Sequence, residues 1–152
     1  MHSVLGSQFL REKNPGFPGL PVWAIGTSRG TTAAAQAASI LNPIVDGLVL
    51  TSPMTNPITA SVFDVPLETI TVPTMITVHE KDMCFVTPPS GMKHIEHALV
   101  SASVVKTKEF DEGFPALSAN PCDATTPHGY LGIEGKVVYK ITKWIKEVQS
   151  AL

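Results

Sequence analysis

Three residue types that cooperate in acyl transfer stand far apart in the sequence, as Ser28, Asp82 and His128. A serine hydroxyl is a weak nucleophile until a base removes its proton, and a histidine base needs a carboxylate to orient it. Ser28 is the centre of a G-x-S-x-G string that runs from Gly26 to Gly30. Such strings also arise by chance and can be ordinary helix caps, so the elements around each residue must decide between the two interpretations.

The elements that would position these residues alternate between strands and helices. Strands are predicted at residues 20–25, 47–50, 74–78 and 104–110. Helices are predicted at residues 4–13, 31–41 and 88–99, and a C-terminal helix carries its apolar stripe over residues 137–148. Alternation of this kind favours a parallel sheet with right-handed crossovers, in which reactive groups collect beyond the carboxyl ends of the strands.

Ser28 directly follows the first predicted strand and precedes an alanine-rich helix. In a tight strand-to-helix turn the neighbouring backbone passes close by, so we expect that only glycine fits at Gly26 and Gly30. The turn would expose the Ser28 hydroxyl on a strained backbone. It would also direct the backbone N–H of Arg29, at a helix N-terminus, toward an oxyanion.

The acid and base candidates follow the third and fourth predicted strands. Asp82 comes just after the third strand, and Glu80 is a weaker candidate for the same role. His128 lies beside Gly129 in a long loop after the fourth strand. Each could instead be an ordinary loop residue, a turn-capping aspartate or a solvated histidine. The order Ser28, Asp82, His128 at three strand ends is much more specific than any one residue alone.

Two cysteines flank the acid and base candidates. Cys84 lies two residues after Asp82, and Cys122 lies six residues before His128. If the two loops are neighbours, the sulfurs could form a disulfide that ties them together and is worth on the order of 4 kcal/mol. Two buried free thiols are the alternative. A zinc site built from these four residues and His79 is a further alternative, although no pair has the usual spacing of zinc ligands. We expect no metal and no organic cofactor.

Composition excludes several classes of function. Apolar residues make up 43% of the 152 residues and charged residues 16%, which excludes disorder and fits one domain over residues 1–152. The formal net charge is −2 and the basic residues do not cluster, so no nucleic-acid or membrane partner is expected. The N-terminus lacks the basic start and long apolar stretch of a signal peptide, so a cytoplasmic location is expected for the chain as it stands.

The chain resembles the C-terminal half of the α/β-hydrolase superfamily, from the fifth strand onward. Residues 21–30 resemble the fifth strand and its nucleophile elbow, residues 72–82 the seventh strand and its acid, and residues 128–134 the base loop. The resemblance implies an α/β fold of three layers, in which a parallel half-sheet of about four strands is flanked by helices. It also implies a serine hydrolase that cleaves short-chain carboxylic esters through Ser28, Asp82 and His128, with Arg29 in the oxyanion hole. Similar members are often exported.

Two family features bear on this site. The loop after the third strand, which normally gives the second oxyanion donor, precedes the half that is matched here. The region of the usual lid, residues 54–72, is short, so we expect an open site for a small ester substrate, with Met54, Ile58 and Phe63 nearby. A catalytically weak or silent fragment that binds a ligand or a partner is the alternative, and a peptidase or thioesterase could use the same three residues.

The first predicted strand is also a candidate interface. In the family the fifth strand normally pairs with the third, so strand 20–25 is expected at an edge of the sheet. Leu20, Val22, Trp23 and Ile25 make this edge apolar, and it carries no lysine of the kind that protects exposed edges. We therefore expect a homo-oligomer, in the simplest case a homodimer that pairs two such strands antiparallel about a two-fold axis.

Overall fold

Four parallel strands form one sheet in the computed structural model, which describes residues 20–40, 45–58 and 60–151. The strands are β1 (Trp23–Thr27), β2 (Gly47–Thr51), β3 (Thr74–His79) and β4 (Val105–Phe110), and they lie side by side in the order of the sequence. The helices are α1 (Gly30–Ser39), α2 (Gly91–Ala98) and α3 (Glu134–Ala151). The sheet matches the expected parallel half-sheet of four strands, and the helix predicted at residues 4–13 lies outside the described residues.

Each face of the sheet is covered by helices, which gives three layers. Leu48 and Leu50 of β2 point to one face, where they pack with the buried alanines of α1 and with Ile95 of α2. Val49 points to the other face, together with Trp144 and the rest of the apolar stripe of α3. Because both faces are covered, all five residues of β2 and all six residues of β3 are buried.

The start of β1 lies three residues later than predicted, and local chemistry explains the difference. Pro21 has no N–H to offer a ladder, and the N–H of Val22 donates to the side-chain carboxylate of Asp46 at 2.6 Å. Ladder pairing with β2 therefore begins at Trp23, opposite Gly47.

In the connection between β2 and β3, the described residues of segment 54–72 form no α-helix. One 3₁₀ turn lies at Leu67–Thr69. A second 3₁₀ turn, Val62–Asp64, is held by a capping box in which the Ser61 hydroxyl and the Asp64 carboxylate each accept a backbone N–H. No helix in the described part of the chain is long and apolar enough to cross a membrane.

The two edge strands of the described sheet differ in how well their side chains protect them against pairing with another chain. On β4, Lys106 and Lys108 are exposed, as expected for an edge that resists pairing. On β1 the exposed residues are Ile25, which keeps 55% of its surface accessible, and Thr27, and neither carries a charge. Trp23 is different, since its ring packs edge-on against Trp144 at a centroid distance of 5.4 Å. Ile25 is therefore the better probe of an interface at β1.

We expect the protein to be a homodimer at micromolar concentration, with two copies of β1 paired antiparallel in one continuous sheet. Sedimentation velocity over a dilution series measures this directly. An Ile25→Lys substitution should convert the dimer to a monomer, because it places a charge on the unprotected edge. Val100→Lys, on an exposed loop after α2, is the control and should leave the dimer intact. A wild-type protein that stays monomeric at every concentration would contradict the expectation.

Candidate active site

Ser28 occupies a tight turn between β1 and α1 with a positive φ of 50°. This conformation is uncommon for a residue with a side chain, so the surrounding contacts must hold it. The Ser28 N–H donates to the carbonyl of Thr51 at 2.9 Å, and the Ser28 carbonyl accepts from the N–H and the hydroxyl of Thr31. The Thr31 hydroxyl in turn accepts from the N–H of Met54, so the turn is fixed to the end of β2.

The two glycines of the turn are constrained differently. A Cβ at Gly26 would collide with the backbone of Gly30 and Thr31, as the sequence argument expected. A Cβ at Gly30 would meet no described atom within 4 Å. The expectation that close packing also requires glycine at position 30 is therefore wrong, because Gly30 already belongs to the first turn of α1, whose surface is open there.

Asp82 follows β3 and is held by three donors. Its carboxylate is buried, with the side chain 1% exposed. Oδ1 accepts the N–H of Cys84 at 2.8 Å, and Oδ2 accepts the Thr87 hydroxyl at 2.9 Å. Oδ2 also lies 2.9 Å from Nδ1 of His128. The acid and base candidates, 46 residues apart in the sequence, are thus in direct contact.

His128 lies in a 3₁₀ turn, Pro127–Gly129, within the loop between β4 and α3. The Thr126 hydroxyl caps this turn by accepting the His128 N–H. Nδ1 of the ring faces Asp82, whereas Nε2 makes no hydrogen bond with any described residue. An imidazole held at one nitrogen and open at the other has the arrangement that a general base needs.

The position of the base loop depends on two residues that sequence reasoning missed. Ser52, directly after β2, has a φ of 44° and donates its buried hydroxyl to the His128 carbonyl at 2.9 Å. The phenol oxygen of Tyr130 accepts the Ser52 N–H and lies 2.8 Å from the Thr77 hydroxyl. Burial raises the pKa of the Tyr130 phenol above its ordinary value, so it stays neutral. The only sequence signal was the proximity of Tyr130 to His128.

Ser28 opens into a cavity of about 610 Å³ that it shares with seven other residues. The walls are mostly apolar, with polar groups at the serine turn and at the base loop. The seven residues that line the cavity with Ser28 are Arg29, Met54, Ala60, Phe85, Val86, Asn120 and Cys122. Cys122 belongs to the loop that carries His128, so the cavity joins the serine turn to that loop. The structure has no hydrogen bond between the Ser28 hydroxyl and His128, both of which are described.

Only one of the three apolar residues expected near the site lines this cavity. Met54 does so, but the side chains of Ile58 and Phe63 are 84% and 43% exposed and lie outside the lining. The apolar wall comes instead from Phe85 and Val86, in the loop after β3. The connection after β2 turns outward after Asn56, whose side-chain amide donates to the Phe85 carbonyl.

The remaining candidates have other contacts. Glu80 is exposed and lies 3.9 Å from Lys81, away from His128. His79 is buried, and its Nε2 lies 2.7 Å from the Glu112 carbonyl. Asp82, Cys84 and His128 have potential metal-ligand atoms within 4.8 Å of one another. Because the Cys84 sulfur is bonded to Cys122, the group does not offer the thiolate that zinc prefers.

Cys84 and Cys122 are joined by a disulfide between the acid loop and the base loop, with their Cα atoms 4.6 Å apart. The bridge starts two residues after Asp82, where the Cys84 N–H also contacts the carboxylate. It ends in the wall of the cavity, beside Asn120. The disulfide therefore links three parts of the site: the acid, the base loop and the pocket.

Comparison with known proteins supports the fold. No protein-family model matches the sequence, and no curated protein matches it. Among solved structures, the acetyl ester-xyloside bifunctional hydrolase from Caldicellulosiruptor lactoaceticus is similar over 97% of this chain and 64% of that chain, with a TM-score of 0.63 and 14% identity. MGS-MChE2, an alpha/beta hydrolase enzyme from a sediment metagenome of the Mar Chica lagoon in Morocco, is similar over 97% of this chain and 71% of that chain, with a TM-score of 0.55 and 16% identity.

A third similar structure is the Pyrococcus horikoshii acylaminoacyl peptidase, at a TM-score of 0.56 and 12% identity over 81% of this chain. This chain has an α/β-hydrolase-like fold. It spans 64% of the length of the Caldicellulosiruptor enzyme and 24% of the length of the peptidase. At identities of 12–16% the similarity concerns the fold.

In this α/β-hydrolase-like fold, we expect removal of the disulfide to lower stability markedly. The bridge spans 38 residues, and closing a loop of that length in the unfolded chain is worth about 4 kcal/mol in the chain-entropy treatment. Urea denaturation of the Cys84→Ser/Cys122→Ser double variant should show a free energy of unfolding lower by roughly that amount. The matched control is the wild type with reductant, which should fall to a similar value. Two titratable thiols in denatured, unreduced wild type would contradict the bridge.

Proposed function

We propose that this protein is a serine hydrolase that cleaves short-chain carboxylic esters with Ser28 as nucleophile, His128 as base and Asp82 as the orienting acid. The observation that carries the proposal is the buried contact between Asp82 and His128 at 2.9 Å, with Nε2 of the ring left unpaired among the described residues. A buried carboxylate next to an imidazole is also found in purely structural pairs. The strained turn at Ser28, which borders the same group of loops, favours catalysis.

The proposed reaction has two steps. Nε2 of His128 takes the hydroxyl proton of Ser28 while Oγ bonds to the ester carbonyl carbon; the C–O bond to the alcohol then breaks, and Nε2 returns the proton to the leaving oxygen. In the second step water gives a proton to Nε2 while its oxygen bonds to the acyl carbon; the bond from that carbon to Oγ of Ser28 then breaks, and Nε2 returns the proton to Oγ as the carboxylic acid leaves. The hydrogen bond between Ser28 and His128 forms as substrate binds, since such bonds are often long in free enzymes.

The negative charge that develops on the carbonyl oxygen needs preorganised donors. Arg29 precedes the first residue of α1, and its N–H makes no hydrogen bond with a described residue. This N–H can therefore donate a hydrogen bond to the oxyanion, at the positive end of the α1 dipole. A single oxyanion donor is worth about 10²- to 10³-fold in kcat in a comparable enzyme.

The cavity beside Ser28 favours small apolar acyl groups. Four of its lining residues, Met54, Ala60, Phe85 and Val86, offer apolar contact, and Arg29 is the charged residue of the lining. The similar solved structures include an acetyl ester hydrolase, an alpha/beta hydrolase and a peptidase, and the first of these fits a small acyl group best.

The proposal is tested with an activity-based probe. We expect a fluorophosphonate to label the purified protein once per chain, and peptide mass mapping to find the adduct on Ser28. Hydrolysis of p-nitrophenyl acetate and butyrate should stop as labelling reaches completion. Ser103→Ala, at an exposed serine far from the site, should label like the wild type. A protein that is neither labelled at Ser28 nor active on these esters would refute the proposal and leave the alternative of a silent binding module.

A further inference from the structure

Thr87 is buried between the two proposed catalytic partners and has no role in the reaction as described so far. The residue is 1% exposed and lies in the loop that follows β3. Its hydroxyl oxygen is 2.9 Å from Oδ2 of Asp82 and 3.0 Å from Nδ1 of His128. Since Nδ1 and Oδ2 are themselves 2.9 Å apart, the three atoms form a nearly equilateral triangle.

The protons available to this triangle determine how it is bonded. An ionised carboxylate only accepts hydrogen bonds, whereas a hydroxyl has one proton to donate and can also accept. The Thr87 hydroxyl therefore donates its hydrogen bond to Oδ2 of Asp82, and its oxygen faces Nδ1 of His128 as an acceptor. Nδ1 is then surrounded by two acceptors, which are satisfied only when the nitrogen carries a proton.

We propose that Thr87 is a positioning residue that fixes His128 in the Nδ1–H tautomer, so that the lone pair of Nε2 is directed toward Ser28. This inference rests on the proposed function and adds a residue to it. In the opposite tautomer the Nδ1 lone pair would face Oδ2 of Asp82, and the Thr87 hydroxyl could donate to Nδ1 only by giving up its hydrogen bond to Oδ2. Asp82 alone disfavours that tautomer, and the loss of the hydrogen bond between Thr87 and Asp82 adds to its cost.

The backbone around Thr87 holds its hydroxyl in place. The Thr87 N–H donates to the Cys84 carbonyl at 3.1 Å, which closes a turn next to the disulfide. The preceding residue, Val86, accepts the backbone N–H groups of Thr55 and Asn56 with its carbonyl. The backbone is therefore held by hydrogen bonds at Val86 and at Thr87 itself, which keeps the hydroxyl beside Asp82 and His128.

The test compares Thr87→Val, which removes the hydroxyl and keeps the shape, with Thr87→Ser, which keeps the hydroxyl. We expect Thr87→Val to lower kcat for p-nitrophenyl butyrate roughly 10- to 100-fold with KM nearly unchanged, because a buried hydrogen bond to a charged group is lost. The kcat of Thr87→Ser should stay within about threefold of that of the wild type.

Thr87→Ala replaces the valine variant if valine prevents folding. Thr74→Val, a fully buried threonine at the other end of β3, is the control for the substitution itself and should keep wild-type kcat.

A second readout reports on the tautomer without reference to activity. In ¹⁵N-histidine-labelled wild type at alkaline pH, where histidine is neutral, the His128 ring should show a protonated Nδ1 and an unprotonated Nε2. The signals are assigned by their loss in His128→Ala. In Thr87→Val both nitrogens should move toward the averaged shifts of a tautomer mixture, whereas Thr87→Ser should keep the wild-type pattern.

The outcomes separate the two proposals. An unchanged tautomer and an unchanged kcat in Thr87→Val would overturn the role of Thr87, as would a Thr87→Ser variant that loses as much activity as Thr87→Val. If the wild type hydrolyses no ester, the proposed function fails, but the ¹⁵N spectra still decide whether Thr87 controls the tautomer.

Discussion

Under the proposed mechanism, replacement of either Ser28 or His128 with alanine is expected to reduce kcat for a short-chain ester by about 10⁶-fold, the loss known for a serine protease. The reason is that the two residues act as one unit in catalysis. A serine without its base keeps its proton, and a base without the serine has no hydroxyl proton to remove. For the same reason the Ser28→Ala/His128→Ala double variant should be no less active than either single variant. Steady-state kinetics with p-nitrophenyl butyrate measures all three.

Two controls make this result specific to the site. His97 is exposed on α2, and His97→Ala should retain wild-type kinetics. Circular dichroism and thermal unfolding of each variant must match the wild type, because Ser28 and His128 both belong to turns with several backbone hydrogen bonds. Losses that multiply in the double variant would mean that the two side chains act independently, and the proposed mechanism would then fail.

Asp82→Asn should reduce kcat by about 10⁴-fold while leaving the fold intact. The asparagine side chain has nearly the same shape, but its amide group can donate a proton toward Nδ1 of His128. That donation favours the tautomer in which Nε2 carries the proton, so the ring can no longer act as a base toward Ser28. We expect KM to change little, since Asp82 is buried and does not line the cavity.

Glu80→Gln is the matched control for this prediction. Glu80 is the other carboxylate after β3, two residues away, and the sequence leaves it as a weaker candidate for the acid. It is exposed and lies near Lys81, so its neutralisation should leave kcat unchanged. A larger loss in Glu80→Gln than in Asp82→Asn would show that the acid has been assigned to the wrong residue.

Much of this fold could be predicted because its sequence signals are local. Apolar runs such as residues 47–50 can be buried on both faces only as a central strand, and the alanine-rich run after Ser28 has few side chains too large to pack on the sheet. The carboxyl ends of neighbouring parallel strands lie on one edge, so Asp82 and His128 could be expected to approach each other. The cysteines could be expected to meet for the same reason.

The rest could not be predicted because it depends on which atoms meet across loops. Thr87 and Ser52 are common residue types in unremarkable loop sequences, and their importance follows from contacts with His128, 41 and 76 residues away in the sequence. Gly30 could be judged only once the backbone showed open space beside it. The prediction that Ile58 and Phe63 lie near the site was also wrong, since both are exposed outside the cavity and Phe85 lines its wall instead.

The order of the strands has a consequence for how the protein is made on the ribosome. Because each strand pairs with the strand that precedes it in the chain, every new strand finds its partner already synthesised, and the described sheet can grow by single additions. The Ser28 turn is complete as soon as β2 supplies the Thr51 carbonyl, whereas His128 is made 100 residues after Ser28 and only then accepts the Ser52 hydroxyl with its carbonyl. A nascent chain therefore displays its serine turn long before it has a base, and the proposed chemistry begins only after the loop that carries His128 has been made.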